Sequence, residues 1–204
     1  MMELRPLTGA SFAAFGSVIQ IPEPAKDASS VAVYSANQAT ATKYSPISIL
    51  ASHYPTANSG MPVMPVMSLF VCVPRKLVRK NGKQRFELSI MERHPYTTQS
   101  FIPMGLSASN SDTAYIVIVA PSLPLNTAGE DEKPDMSRAR AFLAKGNQGV
   151  TYGAGVWHSP MVVLGKVSVT FAVLMWVNGV AKDECTEVEV VTEEVEINKF
   201  QANL

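Results

Sequence analysis

Residues that build covalent cross-links or metal centres are scarce in this chain of 204 residues, which contains two cysteines and three histidines. No Cys-x-x-Cys pair and no Cys/His cluster occurs, so a structural zinc site is not expected. Cys72 lies in an apolar run and is predicted to be a buried small hydrophobic residue. Cys185 follows Asp183 and Glu184, which would raise the pKa of its thiol rather than activate it. A disulfide between the two cysteines is not expected either.

A charge surplus and long apolar runs are also missing. Lys+Arg and Asp+Glu each number 17, so the net charge is zero and the basic surplus of general nucleic-acid or membrane binders is absent. No apolar run is longer than Phe171 to Val177, which is too short to span a bilayer. The first residues lack the apolar core of a secretory signal. The sequence therefore predicts a soluble, cytoplasmic protein that binds neither nucleic acid nor membrane.

Helix signals are few. Only Thr8 to Phe15 has a hydroxyl cap and an apolar helical face, and Ser137 to Lys145 is either a second short helix or a strand. Asn81-Gly82 and Asn178-Gly179 are turn dipeptides of the hairpin type. Segments rich in β-branched and aromatic residues are common and are predicted to be strands at 31–34, 47–50, 66–73, 86–91, 114–119, 161–164, 167–177 and 188–191.

Many short strands and almost no helix predict an all-β fold, either a sandwich or a barrel. With 47% hydrophobic residues and no convincing linker, the chain is predicted to form a single domain over residues 1–204. A chain of this length buries roughly 70% of its unfolded surface, so it needs no disulfide to be stable.

Several catalytic motifs are absent. The chain has no serine-containing elbow, no Gly-rich phosphate loop and no dinucleotide fingerprint, so acyl-serine chemistry and a nucleotide cofactor are not expected. Histidine chemistry depends on His53, His94 and His158. His53 follows a predicted strand and is expected to be a surface or hydrogen-bonded histidine without a catalytic role.

Glu92-Arg93-His94 lies at the end of a predicted strand. Residues two apart on a strand face the same side, so Glu92 and His94 are predicted to project together, with Arg93 opposite. In a barrel interior this pair would place a carboxylate and an imidazole in one cavity, which suits proton transfer or metal ligation. The three residues alone leave a solvated strand end with no function as an open alternative.

The spacing beyond this pair resembles the two motifs of cupins. Glu92-x-His94 is followed by Gln99 and, much later, by Gly155-x-x-His158. A cupin normally has His where Glu92 stands and Glu where Gln99 stands. The resulting donors Glu92, His94, Gln99 and His158 could hold a divalent metal, or hold none and bind a polar substrate by hydrogen bonds.

Six blocks of sequence resemble, in order, the ureidoglycolate lyase family, formerly called ureidoglycolate hydrolase. These blocks are Glu92-Arg93-His94-Pro95, Gln99 to Met104, Lys133-Pro134-Asp135, Arg140-Ala141-Phe142, Gly146 to Tyr152 and Val156 to Pro160. Bacterial members tend to carry an acidic-then-basic pair where this chain has the apolar Val173 to Val177, and the continuation Asn178-Gly179-Val180 is more similar to fungal members. Residues 35 to 84 match poorly.

The resemblance implies a cupin-like antiparallel barrel or jelly roll that forms a homodimer. The implied activity is that of a carbon–nitrogen lyase of allantoin and purine catabolism, which cleaves ureidoglycolate to glyoxylate and urea. Met61 to Met67 offers an apolar surface suited to a second chain, although the same stretch could be ordinary core.

Eliminating urea from this carbinolamide requires a base and an acid whose pKa values lie near neutrality. His94 and His158 have suitable intrinsic pKa values, and Glu92 can orient or charge-stabilise one of them. The residues do not tell which histidine is the base, and a metal bound by the four donors could instead polarise the substrate.

Predicted substrate-binding residues are Gln99, Tyr152, Arg140 and Gln148. The hydroxyl of Tyr152 could reach a urea oxygen, and Arg140 and Gln148 are candidates for the substrate carboxylate. Two other functions stay open on the sequence alone. One is a non-catalytic cupin-like module that binds a small acid, and the other is a ureidoglycolate amidohydrolase that releases ammonia.

Overall fold

A computed structural model describes residues 1–22, 31–106, 113–124 and 132–197. Its two short helices are α1 (Gly9–Phe12) and α2 (Ala181–Glu184). The strands in chain order are β1 (Leu4–Pro6), β2 (Gly16–Ile19), β3 (Ala32–Ala36), β4 (Ala41–Ser45), β5 (Met64–Cys72), β6 (Val78–Lys80), β7 (Lys83–Arg93), β8 (Gln99–Met104), β9 (Thr113–Ala120), β10 (Arg140–Lys145), β11 (Gly149–Tyr152), β12 (Trp157–His158), β13 (Val162–Val163), β14 (Val169–Val177) and β15 (Thr186–Ile197).

Two large sheets contain most of these strands. The first has the order β1-β10-β9-β12-β7-β15, with β13 added to β9 and β6 added to β7. The second has the order β2-β11-β8-β14-β5, and β3 and β4 form a separate hairpin. The pairing is antiparallel except between β1 and β10. The predicted all-β, barrel-like class with a short N-terminal helix is confirmed.

The space between the two sheets is filled by a core rich in aromatic residues. Phe171 contacts Tyr115 and Phe101 edge to face, with ring centroids 5.1 and 5.8 Å apart. Such pairs contribute about 0.5–1.5 kcal/mol beyond the burial of their area. A second core covers the other face of the first sheet and includes Met91 and Trp157. Residues 115–120 of β9 are therefore buried on both faces, which explains their predominantly apolar sequence.

The N-terminal helix is shorter than predicted. Thr8 caps it and forms a reciprocal capping box with Ser11, but the helix ends at Phe12 rather than Phe15. The chain must become extended at Gly16, where β2 begins and pairs with β11, so no further turn of helix can form. No helix among the described residues is long and apolar enough to cross a bilayer.

Two local predictions were wrong. Residues 47–50 lie in no strand, and Ile49 and Leu50 are exposed. The segment contacts the second sheet through the hydroxyl of Ser48, which donates to that of Thr151 on β11 at 2.7 Å. The dipeptide Asn178-Gly179 makes no hairpin and instead leads into α2, a helix that the sequence did not predict.

In two further segments the structure decides between helix and strand or shows a longer strand than predicted. The stretch Ser137 to Lys145 contains the end of a 3-10 turn, Met136–Arg138, followed by strand β10. The predicted strand 188–191 lies in the first half of the much longer β15. Its glutamates face cations on β6 and β7: Glu194 pairs with Lys80 and Arg85. These ion pairs join the second half of β15 to β6 and β7.

Candidate active site

Glu92 and His158 are neighbours in the first sheet, where β7 and β12 pair them directly. The Oε1 atom of Glu92 lies 3.5 Å from Nε2 of His158. Arg93 lies on the opposite face, with its guanidinium 5.1 Å from the centroid of the Trp157 ring. The alternation of the strand therefore directs Glu92 towards the interior and Arg93 towards the second core.

Gln99 approaches the same point from the second sheet. The sequence of residues 95–98 resembles a turn and predicts that Gln99 lies on the strand next to β7. This prediction is wrong, because β8 pairs with β11 and β14 and residues 95–98 carry the chain from one sheet to the other. Its side-chain oxygen Oε1 lies 3.2 Å from Nε2 of His158, and its Nε2 donates to the sulfur of Met175 at 3.6 Å.

The ring of His158 is held at both nitrogens. Nδ1 donates to the carbonyl oxygen of Val156 at 2.9 Å, because a carbonyl can only accept. Nε2 faces the oxygens of Gln99 and Glu92, and a proton on this nitrogen satisfies both. The phenol ring of Tyr152 stacks on the imidazole with centroids 4.0 Å apart and planes inclined by 10°.

His94 completes the cluster, with its ring centroid 5.5 Å from that of His158. Its Nδ1 donates to the backbone carbonyl of Glu184 at 2.5 Å. Its Nε2 is buried and has no hydrogen-bond partner among the described residues. The proton on Nδ1 leaves Nε2 with a free lone pair, so His94 can accept a proton or ligate a metal there.

Burial and neighbouring charges act in opposite directions on these groups. Burial lowers the pKa of His94 below its usual value, and the nearby His158 lowers it further. The Glu184 carbonyl, the charge of Glu92 and the nearby Gln99 side chain raise the pKa of His94, but burial prevails and favours the neutral imidazole. Burial raises the pKa of Glu92, yet the hydrogen bond and charge of His158, with the charge of His94, outweigh it and the carboxyl pKa falls below its usual value.

The other predicted site residues lie at different distances from this cluster. Tyr152 contributes its ring, while its hydroxyl is buried without a hydrogen-bond partner among the described residues, and burial raises its pKa well above the usual value. Arg140 donates to the carbonyl of Ala139, beside a cavity lined by the N-terminal residues. His53 is exposed.

Gln148 is held by three hydrogen bonds outside the cluster. Its Oε1 accepts from the N–H of Lys145 at 2.8 Å, and its Nε2 donates to the carbonyl of Leu7 and to Oε1 of Gln20, at 3.0 and 2.7 Å. It therefore ties the β10–β11 turn to the N-terminal segment.

Sequence reasoning missed Glu184, Val156 and Met175. The first two orient the histidines through their backbone carbonyls, which carry no side-chain signal in a sequence. Met175 contacts Gln99 because β14 pairs it with β8, a register that the sequence did not predict.

The donor atoms of Glu92, His94 and His158 all lie within 4.8 Å of one another. One carboxylate oxygen and two imidazole nitrogens suit divalent transition metals. The unpartnered Nε2 of His94 is the atom that such an ion would satisfy, so these residues fit a metal centre.

Comparison with known proteins gives one consistent result. A sequence profile of the family described as ureidoglycolate lyase matches residues 1–198. The ureidoglycolate lyase of Schizosaccharomyces pombe is 41% identical over 179 residues, which cover 88% of this chain and 86% of that protein. The ureidoglycolate lyase of Saccharomyces cerevisiae is 34% identical over 83% of this chain and 83% of its own length. That of Burkholderia mallei is 34% identical over 82% of this chain and 78% of its own length.

Proposed function

This chain belongs to the ureidoglycolate lyase family, and we propose that its lyase reaction, the cleavage of ureidoglycolate to glyoxylate and urea, takes place at Glu92, His94, Gln99 and His158. The relatives' shared name and the match over residues 1–198 support the reaction. The observation that carries the site is the buried, unpartnered Nε2 of His94 beside a second imidazole and a carboxylate.

In this proposal His94 is the general base. Its neutral Nε2 takes the proton of the substrate hydroxyl, and the oxygen left behind forms the carbonyl of glyoxylate. The carbon–nitrogen bond then breaks, and its electron pair stays on the urea nitrogen. A correctly placed base contributes about a hundred- to ten-thousand-fold to the rate.

His158 is the general acid. A proton on its Nε2, held between Glu92 and Gln99, passes to the departing urea nitrogen. Rotation of the Gln99 amide then presents its N–H to the neutral ring, so Gln99 can stabilise both protonation states. Glu92 interacts with both imidazoles and remains ionised, which supports return of the proton from His94 to His158. No water is consumed and no oxidation state changes.

Arg140 is proposed to bind the substrate carboxylate. It shares a row with Val119 and His158 across β10, β9 and β12, so the three side chains share a face. Because strands lie about 4.8 Å apart, the Cα of Arg140 is about 10 Å from that of His158, within reach of a long guanidinium side chain across a small substrate. Its bond to the Ala139 carbonyl must be released.

Tyr152 and Gln148 take lesser roles. The Tyr152 hydroxyl is a buried donor without a partner among the described residues, and we assign it to the urea oxygen. Gln148 already uses its amide on Lys145, Leu7 and Gln20, so any effect on substrate acts through the turn that it holds.

A divalent metal, if bound, would be held by Glu92, His94 and His158, with Gln99 as a further oxygen donor. Such an ion would supply a Lewis acid for the substrate oxygen or carboxylate.

The functional test is incubation of the purified protein with ureidoglycolate, before and after chelator treatment, with urea, glyoxylate and ammonia measured separately. Equal amounts of urea and glyoxylate are expected. Ammonia with carbon dioxide would identify an amidohydrolase instead, and the absence of any product would favour a binding module. The short distance between the two imidazole rings, 5.5 Å between centroids, speaks against a binding module.

We also propose that residues 1–204 form one domain and that two copies form a dimer. The bridge between Met2 and Val195 joins the two ends of the described chain, which supports a single domain. Both cysteines are free, in keeping with the reducing cytoplasm as the compartment.

A further inference from the structure

Glu184, the last residue of α2, hydrogen-bonds to the backbone of the turn that precedes this helix. Its side-chain Oε1 accepts the backbone N–H groups of Asn178 and Gly179 at 3.1 and 2.6 Å. Its own backbone N–H donates to the carbonyl of Val180 at 3.0 Å. Both the side chain and the backbone N–H of Glu184 therefore hydrogen-bond within the turn. The backbone carbonyl oxygen of Glu184 accepts Nδ1–H of His94 at 2.5 Å.

Neighbouring side chains fix the turn further. The carboxylate of Asp183 accepts Nδ2–H of Asn178 at 2.8 Å and the hydroxyl of Ser59, which belongs to a distant loop. The Oδ1 atom of Asn178 accepts the N–H of Val180 at 3.0 Å. The position of the Glu184 carbonyl is thus determined by hydrogen bonds that converge on the turn from both sides.

A neutral imidazole has two tautomers, and only one of them can act as the proposed base. With the proton on Nδ1, Nε2 carries a lone pair, whereas the other tautomer presents an N–H in its place. A carbonyl oxygen accepts but never donates, so the Glu184 carbonyl stabilises the tautomer with the proton on Nδ1. The lone pair of Nε2 is then aimed at the cluster of Glu92 and His158.

We propose that the Glu184 side chain is a positioning group for His94: its carboxylate fixes the turn whose carbonyl selects the productive tautomer. The effect on catalysis rests on the proposed function, whereas the effect on the tautomer does not. Tautomer and turnover can therefore be measured separately.

The test uses full-length, chelator-treated protein labelled with ¹⁵N-histidine and long-range ¹H–¹⁵N correlation spectra, which distinguish protonated from unprotonated ring nitrogens. In the wild type His94 is expected to carry its proton on Nδ1. Glu184→Ala is expected to give a mixture of tautomers, with kcat at least about tenfold lower and little change in KM. Glu184→Gln keeps the accepting oxygen and should keep the wild-type tautomer and most of kcat.

Glu189→Ala is the matched control, since Glu189 is an exposed glutamate on β15. It should change neither tautomer nor kcat. A wild-type His94 protonated on Nε2 overturns the inference even if Glu184→Ala does not fold. A folded Glu184→Ala protein with wild-type tautomer and kcat overturns it too, as does loss of the tautomer in Glu184→Gln. If the wild type lacks lyase activity, the proposed function fails while the tautomer result still decides the inference.

Discussion

The imidazole of His158 lies face to face with the phenol ring of Tyr152, with ring centroids 4.0 Å apart. Tyr152 belongs to β11 in the second sheet and His158 to β12 in the first, so the stack joins the two sheets across the interior. The phenol ring covers one face of the imidazole and so fixes the plane of the His158 ring. The geometry of the stack also orients Nε2 towards Gln99 and Glu92.

Tyr152→Phe removes the hydroxyl and keeps the ring, so it tests the two groups separately. The stack should survive, and the loss of a buried hydroxyl without a hydrogen-bond partner should leave the free energy of unfolding unchanged or raise it by up to about 1 kcal/mol. If the hydroxyl binds the urea oxygen, kcat/KM should fall about tenfold, which corresponds to about 1.4 kcal/mol. Denaturant unfolding and steady-state kinetics measure the two effects. An unchanged kcat/KM would restrict Tyr152 to the support of His158.

Replacement of either histidine of the proposed site should lower turnover strongly without unfolding the protein. His94→Gln and His158→Gln keep a polar side chain of similar reach but remove the titrating nitrogen, so kcat should fall at least about a hundredfold in each. His53→Gln is the matched control, because His53 is exposed and lies outside the cluster. Near-normal urea production by His158→Gln would exclude that residue as the acid.

The pH dependence of kcat/KM should report the base. Protonation of His94 removes its lone pair, so activity must rise as pH increases through its pKa. Burial and His158 lower this pKa, against the opposing effects of Glu92, Gln99 and the Glu184 carbonyl, so the midpoint should lie below the usual value of about 6.5. A profile measured over roughly pH 4.5 to 8 covers this range. A midpoint above 6.5 would contradict His94 as the base.

Strand periodicity was sufficient to predict the faces of Glu92 and Arg93, because alternation is a property of the strand itself. It could not predict that Gln99 belongs to the other sheet, since residues 95–98 look like a hairpin turn and only the pairing of β8 with β14 tells otherwise. The role of Glu184 could not be predicted from the sequence for another reason. Its contact with His94 uses a backbone carbonyl, and every residue in the chain has one.

Segment 47–50 illustrates a different limit. Its Ile-Ser-Ile-Leu sequence has the composition of a strand, yet its hydrogen bond to the second sheet is a side-chain one, from the hydroxyl of Ser48 to that of Thr151 at 2.7 Å. Backbone hydrogen bonds begin only after the segment, where Ala51 pairs with Thr98. Composition reports whether a segment tolerates an extended backbone. Whether a partner strand is present on either side depends on the rest of the fold.

Strand β5 is the edge of the second sheet and pairs only with β14 among the described residues. Residues 61–73 contain no charged side chain, and Leu69 and Val71 are 64% and 65% exposed. A long apolar edge without charges invites pairing with another strand, and proteins that remain monomeric usually protect such edges. We propose a second copy of this chain as the occupant, because two identical antiparallel edges are complementary about a two-fold axis.

Light scattering should therefore give the mass of a dimer for the wild type and of a monomer for Leu69→Lys and Val71→Lys. A lysine on the edge would have to be desolvated between the two copies, whereas in the monomer it stays in water. Val33→Lys is the control, since Val33 is 61% exposed but lies on the separate β3–β4 hairpin, and it should leave the dimer intact. A monomeric wild type would refute the dimer, and dissociation by Val33→Lys alone would move the interface to the hairpin.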